Sequence, residues 1–199
     1  LPPYEPRQVL DPSEPVSIGA MVGPEAFTEV RYLAHAKQMQ ALELIPQIAA
    51  EFKQTFGRDA GGLVRPYHIE DAETVVVALG SLLGTIKDTV DQLRDEGHKI
   101  GVLGISSFRP FPIPDIRDAL EKTQRIVVVE KCFAVGIGGI VSRDVRMALR
   151  NRPQPVSTVV AGLGGRAVTV ASLRKVLLDA VADKPEPLTF LDLDWNIVT

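Results

Sequence analysis

The sequence predicts an α/β fold built on a doubly wound, mostly parallel sheet, preceded by an extended arm and a long connector helix. Two observations carry the prediction. Residues 72–112 read AETVVVALGSLLGTIKDTVDQLRDEGHKIGVLGISSFRPFP, a buried strand, a glycine-bearing turn, an amphipathic helix and a second buried strand. That order is a parallel βαβ unit. Further β-branched runs then alternate with helical periodicities down to the end of the chain, as a doubly wound sheet requires.

The elements follow in order. Residues 1–24 hold six of the 15 prolines and show no sustained periodicity, which predicts an extended arm with a short strand at residues 16–18. Pro24 sits where the first turn of a helix tolerates proline. From residue 25 to 56, Phe27, Val30, Ala34, Ala41, Ile45, Ile48 and Phe52 recur at helical spacing, so one helix of up to thirty residues is expected, kinked or interrupted at Pro46. After Gly61-Gly62, residues 63–69 form an edge strand or a linker. Residues 74–79 fit a strand buried on both faces. A helix over 85–96 carries Ile86, Val90 and Leu93 inward and stops at Gly97. Strands at 99–105, 125–130 and 156–161 alternate with helices at 114–121 and 140–149, and Thr169 caps a last helix whose Leu173, Leu177 and Ala180 face the core. A final strand through residues 189–191 is consistent with the tail.

Composition narrows the function. A net charge of −3 without a basic cluster leaves no electrostatic footprint for nucleic acid. One cysteine, Cys132, excludes an internal disulfide and an all-cysteine cluster within this chain, and points to a reducing, cytoplasmic compartment. No apolar run approaches the roughly 20 residues of a membrane helix. The opening Leu1-Pro2-Pro3 reads as the start of a fragment cut from a longer polypeptide.

Three glycine-bearing loops stand where doubly wound sheets bind ligands, at the carboxyl ends of strands. They are Gly80-Ser81 to Gly84-Thr85, Gly136 to Gly139, and Gly162-Leu163-Gly164-Gly165-Arg166. None matches G-x-G-x-x-G after the first strand or G-x-x-x-x-G-K-[ST], so tight turns are favoured over bound phosphate. The candidate anion- or coenzyme A-binding residues are Gly164, Gly165, Arg166, Gly80, Ser81, Gly84 and Thr85, with Arg166 adding a charge-assisted contact. Glu130 is expected to pair with a neighbouring lysine or arginine. Cys132 has no evident histidine partner, and His35 and His68 lack metal-ligand spacing. Asp192 and Asp194 alternate with Leu191 and Leu193 as on a strand with one solvated face. Phe108-Arg109-Pro110-Phe111-Pro112 is a rigid apolar corner suited to packing or subunit contact. From the residues alone, no catalytic constellation emerges. A ligand module at the Arg166 loop and a thiol enzyme at Cys132 stand as alternatives.

The run over residues 72–112, RIVVVEKCFAVGIGG after it, DPSEPVSIGAMVGPEAFTEVRY before it and the AGLGGRAVT turn together resemble a known family. The chain is similar to the transketolase C-terminal-like domain and, more closely, to the second domain of the alpha subunit of 2-oxoacid:ferredoxin oxidoreductases of the pyruvate synthase type. The resemblance covers about residues 8–182. It implies thiamine-diphosphate-dependent oxidative decarboxylation of a 2-oxoacid, with coenzyme A as acceptor and ferredoxin or flavodoxin as electron carrier. It further implies that the thiamine-activating glutamate lies upstream of Leu1, that the diphosphate and Mg2+ site lies in a beta subunit, and that [4Fe-4S] cysteines lie in the beta subunit and a ferredoxin-like subunit or domain. Residues 1–56 would then be the end of the N-terminal domain plus a connector helix, and residues 65–199 the second domain. No cofactor and no catalytic residue is expected in this chain, which would be inactive by itself, with the beta, gamma and ferredoxin-like subunits as partners. The tail LTFLDLDWNIVT departs from the family's pattern.

Overall fold

The computed structural model describes residues 3–6, 9–15, 19 and 21–198. The strand expected at residues 16–18 lies outside them. Two compact units are distinguished, Leu1–Met39 and Gln40–Thr199, with the division inside one helix.

In the first unit, the described arm residues are mostly exposed and lack repetitive structure. A small turn is closed by Ser13, whose N–H and hydroxyl both donate to Asp11 Oδ1 at 2.8 and 2.6 Å. Helix α1 (Phe27–Phe56) then runs for 30 residues. It runs unbroken through Pro46, so of the two outcomes expected there the interruption does not occur. A proline removes one N–H donor and crowds the carbonyl four residues back, but the apolar and helix-forming residues on both sides keep the remaining ladder intact. None of the described α1 residues is buried, and Phe27, Tyr32, Leu33, Leu44, Ile48 and Phe56 are exposed.

The second unit holds a six-stranded sheet. Its elements are β1 (Val64–Tyr67), β2 (Thr74–Ala78), α2 (Leu82–Asp95), β3 (Ile100–Ile105), α3 (Ile113–Ala119), β4 (Arg125–Glu130), α4 (Val141–Ala148), β5 (Val156–Val160), a 3-10 turn (Leu163–Gly165), α5 (Val170–Val181), β6 (Leu188–Phe190) and α6 (Trp195–Val198). The spatial order is β1-β3-β2-β4-β5-β6, and all pairs are parallel except β1 with β3. The stretch after Gly61-Gly62 is thus an edge strand, with Pro66 opposite Leu103. The chain order reverses at β2, which separates β3 from β4, so β2 and β4 flank the topological switch point.

The period of two along each strand divides the core. Val76, Ala78, Val102, Val127, Val129 and Val159 face α2 and α5, where Ile86, Leu93, Leu173 and Leu177 close on them. Val75, Val77, Leu103, Ile105, Ile126 and Val128 face α3 and α4, meeting Ile116, Leu120, Val141 and Val145. Helices on both faces explain why β2, β3 and β4 read as continuous apolar runs. Helix α2 starts a turn earlier than its periodicity suggested, at Leu82. Gly97, with φ +92°, accepts the left-handed conformation that ends it. The tail supplies β6 parallel to β5, but the strand stops at Phe190. Asp192 adopts φ +56°, and Asp194 accepts from the Asn196 N–H at 3.0 Å to open α6, so these aspartates are turn and cap residues, not one face of a strand.

Candidate functional site

The carboxyl ends of the parallel strands gather every loop singled out from the sequence. After β2, Gly80 takes φ +75°, which turns the chain directly into α2. Ser81 stands at the N-cap position without a side-chain capping bond, and the first turn of α2 carries no acidic residue. Gly84 and Thr85 are not loop residues. They lie within α2, where the Thr85 carbonyl accepts the Thr89 hydroxyl at 2.7 Å.

After β5, Gly162 and Gly164 adopt left-handed conformations with φ +71° and +63°, and Gly165 has φ +85°. These angles, which a side chain resists, make this a glycine turn by conformation. It does not lead straight into a helix. Residues 166–169 intervene, and α5 is capped separately by Thr169, whose Oγ1 accepts from the Ser172 N–H at 3.1 Å. Arg166 points to the tail, donating to the Asp192 carbonyl. Gly162, Leu163, Arg166, Phe190 and Leu193 line a cavity of about 180 Å³ there. Lys131 passes next to Gly162, its Cε 3.0 Å from where a Cβ would stand. The two groups of candidate residues therefore sit on different strands of the same sheet end.

The loop after β4 behaves otherwise. Glu130 is 1% exposed, and its expected pairing with a lysine or arginine does not occur among the described residues. Its carboxylate instead accepts three backbone N–H groups at the start of α4. Ile140 and Val141 donate to Oε2 at 2.8 and 2.7 Å, and Ser142 donates to Oε1 at 3.0 Å. The helix N-terminus does the work of a cation, because its unpaired N–H groups carry partial positive charge. Gly139 is demanded by proximity, since a Cβ there would overlap Glu130 Oε1 and Ser142 Oγ. Between them, the Ala134 and Gly138 backbones exchange hydrogen bonds at 2.8 and 2.9 Å. Val135 and Ile137 stand exposed at the tip of this loop. Cys132 is a half-buried free thiol in the same loop.

The aromatic corner packs as expected. Phe108 and Phe111 meet edge to face at 6.4 Å, and Ser107 Oγ donates to the Pro110 carbonyl at 2.8 Å. Arg109 lies over the Phe108 ring and donates to Asp144 at 2.7 Å, tying the corner to α4. Away from the loops, His68 Nε2 is 3.5 Å from Asp91, which also accepts the Tyr67 hydroxyl. That bond holds the phenol above its ordinary pKa.

No group of three or more His, Cys, Asp or Glu side chains suited to a metal ion occurs among the described residues. No helix of the described residues is long and apolar enough to cross a membrane.

A doubly wound α/β domain with glycine turns at the carboxyl end of its sheet is the class the geometry defines. The sequence model for pyruvate:ferredoxin oxidoreductase core domain II matches residues 72–173, and the chain belongs to that family. Among its curated relatives, the pyruvate synthase subunit PorA of Methanosarcina barkeri is 41% identical over 180 residues, covering 89% of this chain and 45% of that protein. PorA of Pyrococcus furiosus is 34% identical, covering 98% and 51%. The ketoisovalerate oxidoreductase subunit VorA of Pyrococcus horikoshii is 35% identical, covering 90% and 46%. The chain spans about half the length of these relatives. A solved 2-oxoglutarate:ferredoxin oxidoreductase from Magnetococcus marinus is 16% identical at a TM-score of 0.47, over 66% of this chain and 21% of that one.

Proposed function

We propose that this chain is the C-terminal portion of the alpha subunit of a 2-oxoacid:ferredoxin oxidoreductase, with pyruvate as the 2-oxoacid. The whole enzyme would depend on thiamine diphosphate and convert its substrate oxidatively to an acyl-coenzyme A. Within it, this portion is structural and subunit-contacting, and the cofactor chemistry belongs to other parts. The reading rests on the PorA relatives, which match 89% and 98% of this chain at 41% and 34% identity. The scaffold role is supported by the sheet's carboxyl end, where the buried carboxylate is spent on a helix and the arginine on a carbonyl. Residues 1–56 are assigned as the end of the preceding domain with its connector helix, and residues 65–199 as the second domain. Beta, gamma and ferredoxin-like subunits or domains are the partners, with ferredoxin or flavodoxin as the electron carrier of a cytoplasmic complex.

Isothermal titration of the chain with thiamine diphosphate and Mg2+ tests the division of labour. The expected outcome is no saturable heat, and tight binding would refute it.

One observation favours a second reading, an anion- or coenzyme A-binding module at the same sheet end. The N-terminus of α2 has neither a side-chain cap nor an acidic first turn, and at the same end of the sheet, two strands over, Lys131 lies by Gly162. Arg166→Ala weakening coenzyme A binding by the assembled complex would favour this reading, and unchanged affinity would remove it.

A further inference from the structure

The scaffold reading treats the buried Glu130 only as a structural contact, and the anion-module reading does not use it. Its strand, β4, borders the switch point, where doubly wound sheets place the anionic group of a ligand against a helix N-terminus. Here the three donors of that terminus are already taken by one carboxylate. A second observation marks the same spot as polar. The Ser142 hydroxyl is 0% exposed and has no hydrogen-bond partner, and it converges with Glu130 Oε1 on the place a Gly139 Cβ would fill.

We propose that the N-terminus of α4 is an anion site filled by the chain's own carboxylate, and that its ligand class is the small carboxylate. An external anion would compete with a tethered group whose effective concentration is high, so the site opens only when Glu130 is removed. The tether has a second effect. It joins the last residue of β4 to the first residues of α4, and so clamps both ends of the loop over residues 131–139.

The test compares the full chain with Glu130→Ala and Glu130→Gln by thermal denaturation, in sodium acetate and in sodium chloride of equal ionic strength. Acetate closely matches the atoms the alanine variant loses. Losing the side-chain acceptor of three backbone donors, two of them buried, is expected to lower the melting temperature of Glu130→Ala by about 10 °C. Acetate should recover several degrees of that loss saturably, and should raise the wild type and Glu130→Gln no more than chloride does. A Glu130→Ala protein that melts within about 2 °C of wild type would overturn the proposal, as would acetate acting equally on all three proteins. Should the alanine variant fold only when refolded in acetate, the proposal is supported. Should it fold in neither salt, Glu130→Gln decides: it retains one oxygen for Ile140 and Val141 but no charge, so a lower melting temperature supports the site, and wild-type melting refutes it.

Discussion

Helices α2 and α4 begin at the same end of the same sheet, after neighbouring strands, yet their N-termini are treated in opposite ways. That of α2 follows Gly80-Ser81, has no side-chain cap and no acid in its first turn. That of α4 is filled by a carboxylate from the preceding strand and hidden from water. The difference lies in where the first N–H groups go. Those of Leu83 and Gly84 donate to the Gly80 and Ser81 carbonyls at 3.3 and 3.4 Å, whereas those of Ile140, Val141 and Ser142 all turn to one side-chain carboxylate. The two termini thus differ in what the preceding strand end supplies, Glu130 at the end of β4 and Gly80-Ser81 after β2.

Gly139→Ala should break the α4 arrangement most sharply apart from Glu130 itself. The methyl would displace the carboxylate from its donors, costing about 1–3 kcal/mol in chemical denaturation. A stability change under 0.5 kcal/mol would show that the close approach is easily relieved. Next in size is a contrast between caps. Thr169→Ala removes the hydroxyl that accepts from Ser172 at the start of α5 and should cost about 1 kcal/mol, while Ser81→Ala should change stability by less than about 0.5 kcal/mol. Equal losses would mean that Ser81 caps α2 after all. Gly84→Ala should go the other way, stabilising by about 0.5–1 kcal/mol, because the position is helical and open space surrounds the added methyl. Loss of stability there would instead mark Gly84 as part of a site.

The smallest effect concerns the other end of α2. The guanidinium of Arg94 holds the Asp71 carboxyl below its usual range, and that of Arg174 does the same for Glu96. Both carboxyls have folded pKa values depressed below the unfolded ones. Their contribution is therefore complete above the ordinary carboxylate range near pH 4 and is lost as pH falls through the folded values. Both sites are exposed, so the change should be slight. Melting temperatures followed from pH 6 to pH 2 should fall a little less steeply for Arg174→Ala than for the wild type.

What was legible in the sequence and what was not separates by the range of the interaction. The apolar runs of β2 to β5 and the spacing of Ile86, Val90 and Leu93 are local patterns, and the structure places them where those patterns imply. Gly97 and Thr169 likewise act on the residues beside them. The start of α2 was missed because Leu82 and Leu83 continue an apolar run, which obscures where the helical period begins. The partner of Glu130 was missed for a different reason. Charge patterning suggests a side-chain cation, whereas the real partner is a set of backbone amides that exists only after α4 has folded against β4. A glutamate ending a buried strand, followed nine residues later by glycine and a short helix, is the signal that would have found it. Among the candidate site residues, the turn conformations of Gly80, Gly164 and Gly165 were legible, whereas Gly84 lies in α2 and the direction of Arg166 depends on a tail whose pairing with β5 is long-range.

The antiparallel strand β1 has a consequence for the behaviour of the protein at high concentration. It closes one border of the sheet with a proline, Pro66, and an arginine, Arg65, in a run of four residues. A strand that short, missing one amide donor and carrying charge, is a poor template for a further strand from another molecule. The domain therefore carries at β1 its own safeguard against edge-to-edge aggregation. At the opposite border, β6 is shorter still, three residues, and the chain turns away at Leu191-Asp192 before a longer edge can form.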